Sequence, residues 1–185
     1  MAIKVFIDQG HNPSGANTGA EGIGINESEV TYEVGRYLYN LLNENPNYEA
    51  RLSRNTPSEV IGSSNLSSLS QRVNEANRWD ADVFVSIHTN AFPDPAANGT
   101  EVLVYRRGGI AYTLGEEILR RIVENLGMRD RGVKIRPSIY VLRKTRMPAV
   151  LVELGFITNP SDAAKLRNNP YGFAFAIYQG ITGYF

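Results

Sequence analysis

Three short runs of apolar, largely β-branched residues constrain this chain more than any other feature: Ile3–Asp8, Asp82–Ile87 and Pro148–Glu153. None shows the in–out alternation of a strand with one face in water, so each reads as a strand covered on both sides. Helical patterns separate them, the clearest placing Val30, Val34, Tyr37, Leu38, Leu41 and Leu42 along one face. Strands alternating with helices predict one α/β domain, a mostly parallel central sheet with helices on both faces. A length of 185 residues is enough to bury one such core.

The remaining stretches fill in around that frame. Tyr48–Leu52 reads as a short strand, and the polar segment Ser53–Ser68 as a surface loop running into a helix that ends near Trp79. Ala91–Gly99 holds two prolines and reads as loop. Glu101–Tyr105 is expected as a strand, about Ala111–Leu126 as a helix and Ile139–Leu142 as another strand, with two shorter helices closing the chain.

Composition narrows the chemistry. The 19 basic and 19 acidic side chains cancel, which argues against a nucleic-acid binder and for a substrate recognised by shape and hydrogen bonds. With no cysteine, a disulfide framework, a thiolate nucleophile and a cysteine zinc site are all excluded. The opening MAIKVFID enters a strand pattern at once rather than an export signal, and no run approaches the roughly 20 apolar residues of a membrane helix. The expectation is a soluble chain without its own export signal and without membrane insertion. Nothing in the sequence sets an oligomeric state.

The chain has two histidines, and each closely follows a core strand: His11 after Ile3–Asp8 and His88 after Asp82–Ile87. Parallel strands bring their carboxyl ends to one edge of the sheet, where ligands bind in open α/β folds. Glu153 ends the third apolar run in the same way. Two imidazoles at one rim suit a catalytic zinc, which takes three protein ligands and leaves a position open. A carboxylate would complete the set.

Glu27 is the better candidate for that third ligand. Asn26 is expected to cap the following helix with Glu29 as its capping-box partner, which leaves Glu27 on the inward face of the first turn. The helix dipole there favours the ionised carboxylate that a ligand must be. Glu153, following Ala149–Val152, is expected to be partly desolvated and so suited to general acid–base work. Spacing alone also permits the exchanged roles, with Glu153 as ligand and Glu27 as base. The run Gly19–Gly24 lacks the spacing of a phosphate-binding fingerprint and reads as the loop from His11 to Glu27. No serine lies on a G-x-S-x-G elbow, so a serine triad is not expected.

Taken together, IDQGHNPSGANTGAEGIGINESEV, LSQRVNEAN, ADVFVSIHTNA, GVKIRPSIYVLRKTRMPAVLVELGFITN and AIYQGITGYF resemble the zinc-dependent N-acetylmuramoyl-L-alanine amidases. These are bacterial and phage peptidoglycan hydrolases, and the resemblance spans essentially the whole chain. It implies a single α/β domain with Zn2+ held at the positions of His11, Glu27 and His88, and a catalytic carboxylate at Glu153. It also implies the reaction, cleavage of the amide between the lactyl group of N-acetylmuramic acid and the L-alanine of the stem peptide, at the cell wall. Residues 1–185 are then one catalytic domain, with no room for a separate wall-binding module. The chain departs from the family pattern at DQGHN, where a proline and further glycines are more usual, and at Ser53–Arg54, where Thr–Arg is. Competing readings are a zinc peptidase or deacetylase acting on another wall amide, and a non-catalytic wall-binding module.

Overall fold

The computed structural model describes residues 2–185. Its centre is a six-stranded sheet formed by β1 (Ile3–Gln9), β4 (Tyr48–Leu52), β5 (Val83–Asn90), β6 (Thr100–Val104), β7 (Asp130–Ile135) and β8 (Ala149–Phe156), in the order β4-β1-β5-β8-β6-β7. A two-stranded hairpin, β2 (Glu21–Gly22) with β3 (Ile25–Asn26), stands apart from it. All neighbours in the sheet run parallel except β6 against β8. The expected mostly parallel α/β domain is the observed one.

Among the described residues six helices complete the fold: α1 (Glu27–Asn43), α2 (Asn65–Trp79), α3 (Gly109–Leu126), α4 (Tyr140–Lys144), α5 (Pro160–Asn168) and α6 (Pro170–Tyr184). Side chains alternate across the sheet, so each strand supplies two cores. On one face Val5, Ile7, Val85, Ile87, Val102 and Val152 pack against α1, α3 and α6. On the other, Phe6, Phe84, Leu103 and Leu151 meet Val73 and Ala76 of α2 and Val141 and Leu142 of α4. Fully buried side chains such as Phe84 and Ile87 each contribute roughly 1.5–3 kcal/mol relative to exposure.

The second core stops short of the strand ends. On the face of Phe6 and Phe84 the next positions outward are Asp8, Ser86 and His88, and on that of Leu151 and Leu103 they are Glu153 and Glu101. The apolar face therefore gives way to a polar row at one rim. Strands β5 and β8 also run past their expected ends, to Asn90 and Phe156, and their register slips between His88 and Asn90. His88 and Glu153 thus project from strand backbone rather than from a loop, beside a bulge that re-aims the neighbouring chain.

Two expectations need correction, and one strand had no counterpart among them. Ile139–Leu142 is not a strand: Ile139 is the N-cap of α4, and Val141 and Leu142 are buried against the second core. A four-residue apolar run carries no period that separates helix from strand, and here packing on the sheet decides. β7 was not expected, because it is an edge strand whose side chains are only partly buried and it contains Gly132. Asn26 does precede α1, but its side chain makes no capping bond; its Nδ2 instead donates to Glu29 Oε1 at 3.3 Å. A complete capping box occurs at α2, between Ser64 and Ser67.

Candidate active site

The three strands that carry the chemistry lie side by side. His88 and Glu153 are register partners on β5 and β8, and His11 follows β1, the neighbour of β5 on its other side. Glu27 opens α1 and is buried, while Glu29 two residues on is exposed. His11 Nε2 lies 3.3 Å from Glu27 Oε2, and His88 Nδ1 lies 3.2 Å from Glu27 Oε1. The two imidazole rings meet edge to face at 4.9 Å. One ligand atom from each of His11, Glu27 and His88 lies within 4.8 Å of the others, so the trio can hold a metal ion.

The surroundings prepare these atoms for a cation. His11 Nδ1 sits 2.8 Å from Asn17 Oδ1, an acceptor, which suits a proton on Nδ1 and makes Nε2, the nitrogen facing Glu27, the one to coordinate a metal once its own proton is released. Glu27 accepts backbone N–H bonds from Thr89 at 2.9 Å and Ala20 at 3.0 Å, one on each oxygen. Burial alone would raise the Glu27 carboxyl, but hydrogen bonds from both histidines and their charge hold it well below the usual carboxylate range. Burial pushes His88 the other way from Glu27, whose hydrogen bond and charge leave its pKa raised on balance. An acid kept ionised between two imidazoles is a donor set that fits zinc, which binds nitrogen and carboxylate oxygen and takes three protein ligands in catalytic sites.

Space is controlled by two glycines. A Cβ on Gly10 would stand 2.5 Å from His88 Cε1, and one on Gly19 would stand 2.7 Å from His11 Cγ and 2.9 Å from Glu27 Oε2. Gly19 also has φ +78°, a conformation that glycine adopts freely. The glycine-rich loop therefore does more than connect: it lets the backbone close over the donors. His11 itself has φ +68°, uncommon for a residue with a side chain, and needs outside support.

Arg72 supplies that support. From α2 its buried guanidinium donates to Asp8 Oδ1 (2.7 Å), the Gln9 carbonyl, Ser53 Oγ (3.2 Å), the His11 carbonyl (2.8 Å) and Asn12 Oδ1 (3.1 Å). Ser86 Oγ donates to the other Asp8 oxygen at 2.7 Å. Ser53 Oγ also accepts from Gln9 N–H at 2.9 Å, so the serine found where the family more often has threonine keeps a working hydroxyl. Arg54 is buried as well and donates to the Ser28 carbonyl at 2.6 Å, beneath the first turn of α1.

Glu153 stands in contrast. It is half-buried, makes no side-chain hydrogen bond among the described residues, and its Oε2 is enclosed without a partner. Burial pushes its carboxyl up to about 7, with the charges of Glu27 and Glu101 adding to the rise and His88 opposing it. Such a group can take and return a proton near neutral pH. The four residues singled out from sequence thus share one rim. Asn17 and Arg72 were not singled out, and Gly19 was read only as part of a connecting loop: a lone Asn or Arg has no spacing signature, and all three roles depend on contacts across the fold.

The chain is similar to known proteins along almost its whole length. The family described as N-acetylmuramoyl-L-alanine amidase matches residues 5–183. The amidase CwlM of Bacillus licheniformis is 40% identical over 171 residues, covering 91% of this chain and 62% of its own length. LytC of Bacillus subtilis, also named an N-acetylmuramoyl-L-alanine amidase, is 38% identical over 188 residues, covering 98% of this chain and 35% of its own. The chain thus spans less than two thirds of these curated relatives. The crystal structure of an N-acetylmuramoyl-L-alanine amidase from Clostridium difficile 630 superposes with a TM-score of 0.87 at 32% identity, covering 99% of this chain and 96% of that one. The chain belongs to the N-acetylmuramoyl-L-alanine amidase family.

Proposed function

We propose that residues 1–185 form one catalytic domain that acts at the bacterial cell wall. It hydrolyses the amide between the lactyl group of N-acetylmuramic acid and the L-alanine of the peptide. His11, Glu27 and His88 hold a zinc ion, and Glu153 carries the proton. The observation that carries this reading is the two-histidine, one-glutamate trio with an unpartnered carboxylate oxygen on the adjacent strand. The names of the relatives point to the same bond.

When bound, zinc supplies a Lewis acid that polarises a carbonyl and acidifies a water toward a pKa of roughly 7. The remaining work falls to the chain. Asn17 fixes the His11 tautomer, and the Thr89 and Ala20 amides hold Glu27 ionised and aimed inward. Glu153 accepts a proton from the attacking water through its accessible oxygen, Oε1, then hands it to the alanine nitrogen as the carbon–nitrogen bond breaks. Water adds to the carbonyl carbon, and the products are a carboxylic acid and a free amine.

The test is to incubate the protein with purified wall and identify the new chain ends, with and without a chelator. Free L-alanine amino groups that vanish with chelator and return with zinc are the expected result. New glucosamine amines would assign a deacetylase instead. Wall clearing that ignores the chelator would remove zinc from the reading.

A further inference from the structure

The polar row does not end at Glu153. Its register partner on β6 is Glu101, and β7 lies beyond it. Glu101 is only 6% exposed, yet two cations from β7 meet it: Arg131 Nε donates at 3.0 Å, and Lys134 Nζ makes a shorter contact. Burial would raise the Glu101 carboxyl, but the bonds from Lys134 and Arg131 outweigh it and keep it ionised. One carboxylate against two cations leaves this cluster with a net positive charge.

Much of that charge faces outward. The Arg131 and Lys134 side chains are 28% and 30% exposed. Arg131 Nη2 makes no hydrogen bond among the described residues, and the Lys134 ammonium bonds only to Glu101. The guanidinium is nonetheless fixed: Nη1 donates to the Asn98 carbonyl at 3.2 Å, and its carbon lies 4.9 Å from the centre of the Phe156 ring. A tie between β6 and β7 would need one cation on Glu101. A second one, with donors held in place and left over, suits an incoming anion.

We propose that Arg131 and Lys134 form a subsite for a free carboxylate on the leaving peptide, an inference that rests on the amidase reading above. Glu153 must reach the leaving nitrogen, so the peptide attached to that nitrogen lies over β8 and runs away from the metal trio, toward β6 and β7. The sugar half of the substrate is uncharged once its lactyl carboxyl is tied up in the amide, whereas the peptide half carries carboxylates. β7 stands two strands from β8, roughly 10 Å at ordinary strand spacing, within reach of the residue after the leaving alanine. Glu101 alone would repel that group. Paired with two cations it becomes part of the attraction.

The test uses two muramoyl-alanyl peptides that differ only in whether the residue after alanine carries a carboxylate or a carboxamide. The zinc-loaded wild type is expected to prefer the carboxylate by about tenfold in kcat/KM, mainly through KM. Lys134→Gln and Arg131→Gln each leave one cation on Glu101, so the fold is kept, and each is expected to cut the preference to roughly threefold. Metal content is measured alongside. Equal cleavage of both peptides by the wild type, or a preference that survives both substitutions, overturns the subsite and leaves the amidase reading standing. Cleavage of neither peptide overturns the amidase reading and the subsite with it.

Discussion

At the end of β1 the polar groups are tied down several times over; at Glu153 on β8 one buried oxygen is tied to nothing. The two regions share a sheet edge and stand on either side of β5, so the contrast is not one of depth or location. It is one of task. A metal ligand must present a lone pair, deprotonated and aimed, before the ion arrives, and second partners such as Asn17 and Arg72 provide this. A proton carrier must keep a lone pair unused until the substrate is there. Leaving a buried polar atom without a partner costs about 1–3 kcal/mol, which the tightly bonded side of the site helps to offset.

Replacing Glu153 with Gln tests the contrast most severely. The variant keeps the shape but cannot accept the proton, so kcat on a muramoyl peptide is expected to fall by about a thousandfold. Zinc content should stay at the wild-type level, and the melting temperature should hold or rise, because the unpartnered carboxylate is gone. Glu27→Gln should instead lose the metal. Zinc loss from the Glu153 variant with zinc retained by the Glu27 variant would exchange their roles.

The supporting side breaks differently. Arg72→Met leaves Asp8 buried opposite Ser86 with no cation, and should lower unfolding free energy by about 3–5 kcal/mol. The pH dependence carries a sign. In the wild type, burial raises the Asp8 carboxyl but Arg72's charge and hydrogen bond outweigh it, so the folded-state value lies below the ordinary 3.8. That stabilisation is therefore present above pH 3.8 and is lost as pH falls through the folded value. Without Arg72, burial is opposed only by the charge of His88 and the Ser86 hydrogen bond, so the folded value rises and the stability lost on acidification shrinks. Urea midpoints measured from neutral pH downward should fall for the wild type and fall less for the variant. Parallel curves would remove Arg72 as the stabiliser of Asp8.

Which parts of this were legible in the sequence follows from the same physics. Ile3–Asp8, Asp82–Ile87 and Pro148–Glu153 announced themselves because a strand buried on both faces must be apolar throughout. His11, His88 and Glu153 were legible because a polar residue at the end of such a run has one sheet edge to reach. Glu27 could be placed on the inward face from helical periodicity, although the capping bond assigned to Asn26 is not made. β7 and α4 escaped because a half-exposed edge strand and a five-residue helix have too few residues to show a period. Arg72 escaped for a deeper reason. It belongs to a helix yet serves β1 and the His11 loop, a relation that exists once the chain has folded.

The mildest perturbation separates backbone strain from crowding of the donors. Gly15 and Gly19 lie in the same loop, with φ +74° and +78°. A Cβ on Gly15 meets only Val60 Cγ1, at 3.8 Å, whereas one on Gly19 strikes the His11 ring and the Glu27 carboxylate. Alanine at either position incurs a backbone cost of roughly 1 kcal/mol or more, so both variants should melt somewhat early. Only Gly19→Ala should weaken zinc binding, by about tenfold in competition with a chromophoric chelator, because it displaces ligand side chains directly. An equal loss of affinity in Gly15→Ala would mean that the loop tunes the metal through its general rigidity. In that case the contrast between a pre-set cradle and an open proton site would rest on Asn17, Arg72 and the amides that hold Glu27.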